Sequence, residues 1–297
     1  MNRSILIVLA PLMMTLGCGG GGSSSAPPNV GGMLGSLPVN IPGMNSAKAQ
    51  QGAQLIQVGA KGLDVMSIDS PKRQQQIGQS VAVAIINRYP LSTDQALQDY
   101  VNLVGLTVAS VAPNSEIDYA FGVLETQDVG AYSAPGGYIF ITRGALAMIQ
   151  DESELAGVLA HEVAHVAHNH GIEAVKASKG ADFLVSAAKT QNQQVAAFGS
   201  QSDAFVDAIM VKGYSRSMES QADTDAVKYL AAAGYDPAGL ERFLQRLQTR
   251  TGPGGGMQQV MSTHPGTAER VAHVQQQVAA MNARGVTLKE RFAANVK

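Results

Sequence analysis

The stretch HEVAHVAHNH (161–170) carries four of the chain's six histidines. On a helix, residues four apart lie one turn above each other on the same face. His161 and His165 therefore point the same way and can reach one ion. Glu162 is turned by about 100° from the first histidine, so it flanks the pair. Two imidazoles with a neighbouring carboxylate form the H-E-x-x-H arrangement, two zinc ligands and a general base. Zinc lowers the pKa of bound water from about 15.7 to about 7. Glu162 can then take the water's proton and pass it to a leaving amine. Ala160, Val163 and Ala164 make this helix apolar, and two buried histidines would be costly without a partner. His168 and His170 stand near the expected helix end and read as capping cations or solvent-facing residues.

A catalytic zinc needs a third protein ligand and an open fourth position. The extended pattern H-E-x-x-H-x-x-G-x-x-H fails, because His168 stands where Gly is required and Gly171 where His is. The segment ESQAD (219–223) offers a glutamate from a separate helix instead. Glu219 would be the ligand, giving one zinc per chain. Asp223, one turn on, would accept a hydrogen bond from a histidine's other nitrogen and fix its tautomer. Ala222 is small enough to let the two helices approach. Two histidines and a glutamate make an open set, whereas closed structural sites usually use cysteines. The only cysteine is Cys18.

The elements that must hold these residues can be read from periodicity. From about residue 50 to 110 the pattern is helical, with Ser92 or Thr93 as a start signal for the second helix. Segments 117–125, 129–135 and 137–142 alternate like strands, with Gly and Pro at their joins. The helical period then returns. Ser153 reads as the N-cap of the histidine helix and Gly171 as its end. A weakly patterned stretch (172–212) lies between the two ligand helices and reads as a mobile cover over the cleft or a plain connection. Helices follow up to Gly234, from Pro237, and from about Thr267 to Asn282. The expected fold is α+β, mainly helical, with one small sheet of about three strands.

HEVAH, ESQAD and STHPGTAER, with AYSAPGGYIFITRGAL before the active helix, resemble in order and spacing the motifs of the M48 peptidases. The resemblance spans about residues 70–285. It implies a zincin-like zinc endopeptidase, with Glu162 as base and His161, His165 and Glu219 as ligands. It further implies that the loop bearing His264 folds over the metal and that Arg270 helps to hold the site. His264 could stabilise the oxyanion or occupy the metal's open position. Arg270 could pair with Asp223 or Glu219. In related proteases the strand edge at Ala134, Pro135, Gly136 and Gly137 binds an extended substrate by backbone pairing. Here Gly130 stands where relatives often have Asn, and Ala134 where they have a bulky aliphatic residue.

The N-terminus places this chemistry outside the cytoplasm. Arg3, an apolar run from Ile5 to Leu16 and the small residues around Cys18 form a signal peptide (1–17). The run is too short to span a bilayer, which needs about 20 residues. TLGC resembles a lipoprotein signal with Cys18 lipidated, although Thr15 replaces the usual aliphatic residue. Gly19 resembles outer-membrane sorting in Gram-negative bacteria. Residues 18–45 read as a flexible tether, and 46–297 as the metallopeptidase domain. A net charge of −2 with scattered Lys and Arg excludes a nucleic-acid role. There is no G-x-S-x-G motif and no paired Asp cluster, which speaks against esterase and nuclease chemistry. The leading function is cleavage of unfolded or misassembled envelope proteins at the periplasmic face, with membrane contact only through the lipid. An assembly-machinery partner would fit. The alternative is a zinc-retaining chaperone or assembly factor with little proteolysis.

Overall fold

A computed structural model describes residues 71–113, 116–177, 206, 213–249, 264 and 267–296. The signal peptide, Cys18, the tether and nearly all of 172–212 lie outside the described residues. The elements run α1 (Pro71–Arg88), α2 (Gln95–Ala109), β1 (Ala120–Leu124), β2 (Ala131–Ala134), β3 (Tyr138–Thr142), α3 (Arg143–Leu146), α4 (Glu152–Ala167), α5 (His170–Ala177), α6 (Arg216–Ala232), α7 (Gly239–Thr249), α8 (Thr267–Met281) and α9 (Lys289–Asn295). This is the expected α+β architecture, mostly helix with one three-stranded sheet.

The sheet order is β1-β3-β2, with β3 parallel to β1 and antiparallel to β2. Every strand residue is buried. Alternation decides which face each one joins, because successive side chains point to opposite sides. Phe121, Val123, Ile139 and Ile141 face the main core with α2, α4, α6 and α7. Leu124, Tyr132, Tyr138 and Phe140 face a smaller core beneath α1. The strands therefore look apolar throughout, as two-sided burial requires.

Two expected helix starts are displaced. Asp94, not Ser92 or Thr93, caps α2 through Leu97 N at 3.1 Å. Gln98 pins that helix to β1, exchanging hydrogen bonds with the Val123 backbone at 2.9 and 3.2 Å. Asp151, not Ser153, caps α4 through Glu154 N at 3.0 Å. Ser153 is buried one residue inside the helix, where Arg242 donates to its hydroxyl at 2.9 Å. A carboxylate at the N-cap also opposes the positive end of the helix.

Helix α4 is buried along its whole length, so its neighbours must approach closely. Gly157 and Gly239 mark the crossing with α7. A Cβ at Gly157 would stand 2.7 Å from Leu240 N, and one at Gly239 2.2 Å from Ser153 O. Helix α6 packs through Ala222 and Ala226, both fully buried, which agrees with the small residue expected at 222.

Glu152, buried at the start of α4, ties in the C-terminus. It accepts from the Tyr100 hydroxyl at 2.9 Å, the Tyr235 hydroxyl at 2.6 Å and the half-exposed Arg291 guanidinium. Burial pushes its pKa up, but the bonds from Arg291 and the two tyrosines win and hold it below the usual carboxylate range. A depressed folded pKa gives stability that is complete above the unfolded value, about 4.3, and lost as pH falls through the folded value. Arg291→Ala should cost about 1–2 kcal/mol at neutral pH, at the low end for a charged bond because Arg291 meets solvent. It should also flatten the loss of stability below pH about 4. Urea unfolding at neutral and acid pH tests both, and an unaltered acid slope would remove Glu152 from the account.

Candidate metal centre

Helix α4 supplies His161, Glu162 and His165 and the facing helix α6 supplies Glu219 and Asp223, while α8 contributes Arg270. All six are buried, as is His264. The Nε2 atoms of His161 and His165 stand 3.0 Å apart. Each lies 3.4 Å from a carboxylate oxygen of Glu219. Tetrahedral ligand atoms about 2.0–2.1 Å from one zinc stand about 3.4 Å from each other. The triangle therefore has zinc dimensions.

Tautomers reinforce this fit. Asp223 Oδ1 lies 3.0 Å from His161 Nδ1. An ionised carboxylate only accepts, so His161 carries a proton on Nδ1, which leaves Nε2 as the atom that a metal would take. Burial and Arg270 pull the His161 pKa down, but bonds to Asp223 and Glu219 outweigh them and lift it to about 9. Burial likewise raises Glu219, yet His264 and Arg270 hold it well below the usual carboxylate range. A site that holds Glu219 and Asp223 ionised suits a divalent cation.

Arg270 meets both candidate carboxylates. It grips Asp223 with Nε and Nη2 at 2.9 and 2.7 Å and reaches Glu219 with Nη1 at 3.0 Å. His264 enters from its loop. Its Nδ1 lies 3.0 Å from Glu219 and 3.4 Å from His161 Nε2. His161, His165, Glu219 and His264 each offer one donor atom within 4.8 Å of the others. Glu162 stands beside this set, with Oε1 3.5 Å from His264 Nε2. Its Oε2 is buried with no hydrogen-bond partner among the described residues. An unpaired buried carboxylate oxygen is costly to keep.

The profile described as Peptidase family M48 matches residues 95–278, more than half of the chain. The chain belongs to peptidase family M48. It is 25% identical over 214 residues to the mitochondrial metalloendopeptidase OMA1 of Schizosaccharomyces pombe, covering 71% of this chain and 62% of that one. It is 24% identical over 230 residues to the beta-barrel assembly-enhancing protease of Escherichia coli, covering 74% and 47%. Metalloprotease YcaL of Escherichia coli is 31% identical over 165 residues, covering 54% and 62%. Each match covers less than two thirds of the relative's own length.

In this M48 chain, three expectations near the centre need correction. Helix α4 does not run to Gly171. It ends at Ala167, and Asn169 takes a left-handed conformation with φ 57°. Asn tolerates that region better than most residues. A new helix starts at His170, which is buried rather than solvent-facing. His168 is the C-cap residue as expected, but it pairs with Asp225 on α6 at 2.7 Å.

The third correction concerns the strand expected over 129–135. Ala134 closes β2, which the strand order puts at an edge of the sheet. Pro135, Gly136 and Gly137 instead form the turn into β3, with Gly136 and Gly137 at φ 75° and 100°. Helix α1 covers this turn, since a Cβ on Gly78 would stand 1.6 Å from Pro135 O. A Cβ at Gly130 would meet the Tyr132 hydroxyl at 2.7 Å, so the tyrosine fills the space that a larger residue would need.

Sequence reasoning missed Tyr214, which stacks on His165 with ring centres 3.9 Å apart and its hydroxyl 3.4 Å from that of Ser133. It lies outside every motif, and only tertiary packing brings the two rings together. An apolar cavity also adjoins His161 and Glu162, walled by Val158, Leu240, Phe243 and Leu247.

Proposed function

We propose that the protein is a zinc-dependent endopeptidase of the cell envelope, acting on unfolded or misassembled proteins. One observation carries the reading: the buried triangle of His161, His165 and Glu219 stands beside the unpartnered Glu162 oxygen. A zinc ion held by the triangle would supply water activated near neutral pH and polarise the scissile carbonyl. Glu162 Oε2 takes the proton as the water oxygen adds to the carbonyl carbon. It returns that proton to the nitrogen as the C–N bond breaks. Arg270 and Asp223 hold Glu219 and His161 in place. Among the described residues β2 lies at an edge of the sheet, and its backbone at Ala134 pairs with the extended substrate, while the apolar cavity at Val158 and Phe243 lies beside Glu162.

The names of the relatives support a role in envelope protein handling. Among the described residues no helix is long and apolar enough to cross a membrane. This fits export by the N-terminal signal and anchoring to the outer membrane through a lipid on Cys18. An assembly machine is the partner class that the relatives' names suggest.

The contacts of His264 favour a resting form with little proteolysis. Its Nδ1 has ligand-like spacing to both Glu219 and His161, so with metal bound it would compete with a substrate carbonyl. His264→Ala should raise cleavage of casein about tenfold, as removing about 1.4 kcal/mol of competition would, with zinc retained. A fall of about 10²–10³ would instead make His264 an oxyanion donor. The test of the main reading is zinc content and casein cleavage of the purified chain beside Glu162→Gln. Absence of zinc from the freshly purified chain would overturn it.

A further inference from the structure

The second ring nitrogen of His165 begins a chain of hydrogen bonds that leaves the metal cage and ends at the surface. His165 Nδ1 lies 2.9 Å from His170 Nδ1. His170 Nε2 lies 3.2 Å from Gln221 Oε1. Gln221 Nε2 lies 3.2 Å from His168 Nδ1. His168 Nε2 lies 2.7 Å from Asp225 Oδ2, and Lys228 donates to the other Asp225 oxygen at 2.7 Å.

The direction of every bond follows from the outer end. Asp225 is ionised and can only accept, so His168 donates from Nε2. The Gln221 amide nitrogen can only donate, so His168 accepts from it at Nδ1. The Gln221 carbonyl oxygen can only accept, so His170 donates to it from Nε2. With its proton on Nε2, the His170 ring accepts at Nδ1, so His165 donates from Nδ1. The remaining His165 lone pair, on Nε2, faces His161 Nε2 and Glu219. Between Asp225 and His165 no link runs against another, and the orientation of the glutamine amide fits both of its neighbours.

We propose that His170 is a positioning residue for His165, and that Gln221, His168 and Asp225 form the chain that fixes its tautomer. The sharp break at Asn169 makes this possible. Five residues along an unbroken helix, position 170 would be turned about 140° away from position 165. The left-handed residue brings the ring back against it. His161 has the matching arrangement in Asp223, so each histidine of the pair has its own outer partner. The two differ in reach. Asp223 is a direct and fully buried contact, whereas His165 is governed through three side chains by the surface pair of Asp225 and Lys228.

This inference rests on the metal reading only for its affinity readout. The first measurement is the ¹⁵N signature of the His165 ring in the chelator-treated chain, compared with His170→Phe and His170→Asn. The unaltered protein should show the Nδ1–H form. His170→Phe removes the acceptor and should shift His165 toward the Nε2–H form. His170→Asn restores an amide oxygen and should recover the Nδ1–H form. The second measurement is zinc affinity by competition with a chelator. It should weaken about 10–100-fold in His170→Phe and recover in His170→Asn. Asp225→Asn, at the exposed end, should weaken it in the same direction by less, without loss of fold. An unchanged His165 tautomer in His170→Phe would overturn the proposal, even if that variant were less stable. Failure of the unaltered chain to bind zinc would sink the peptidase reading and leave the tautomer result standing.

Discussion

Glu162→Gln should lower casein cleavage by about 10²–10⁴-fold while the chain keeps its zinc. The side chains are nearly the same size, so the buried pocket keeps its packing. Glu162 stands beside the metal triangle, and its contact within the site is with His264 Nε2 at 3.5 Å. Removing its charge therefore leaves His161, His165 and Glu219 in place. What is lost is the proton acceptor, since Oε2 is the unpartnered oxygen of the site and a neutral amide cannot take a proton from water. The measurement pairs turnover with zinc per chain. Cleavage within twofold of the unaltered chain would mean that another group carries the proton. Joint loss of zinc and activity would mean that Glu162 supports the cage.

Asp223→Ala should damage both the fold and the metal site. Asp223 is fully buried. It takes two bonds from Arg270 and one from His161. Burial raises its pKa, but Arg270 and then His161 hold it far below the usual carboxylate range. Removing one partner of a buried pair leaves the other charge uncompensated, at about 3–5 kcal/mol. Glu219 still reaches Arg270 at 3.0 Å, which favours the lower end of that range. The His161 ring also loses the acceptor that keeps its proton on Nδ1, so zinc affinity should fall about 10–100-fold. Unfolding is measured in chelator, because bound metal would add its own stabilisation. Asp223→Asn keeps one acceptor oxygen and should lose less of both. Full zinc affinity in Asp223→Ala would show that packing alone orients His161.

The grouping of His161, His165 and Glu219 was legible in the chain because it rests on helical periodicity. His161 and His165 are four apart on one continuous helix, and Glu219 and Asp223 share the same spacing on another. Periodicity does not depend on the rest of the fold. Capping was less legible, since Asp94 and Asp151 each lie within two residues of a serine or threonine that could serve equally well. Only the local backbone selects between them. The strand order was not legible at all. β2 and β3 pair across a short turn, but β3 also takes β1 as a parallel partner, Ala120 against Tyr138, and alternation says nothing about which strand is the second neighbour.

By itself, the sequence determined the donor types, their turn-by-turn spacing and the family that the chain belongs to. Tertiary structure alone decided what the remaining histidines do. A single left-handed residue, Asn169, turns His170 back onto His165, and the approach of α6 supplies Gln221 and Asp225. It also decided that Arg270 bridges both Asp223 and Glu219, and that His264 reaches the cage. The physical reason is the same each time. Contacts within one helix follow from its geometry, while contacts across elements depend on where the breaks and crossings bring them together.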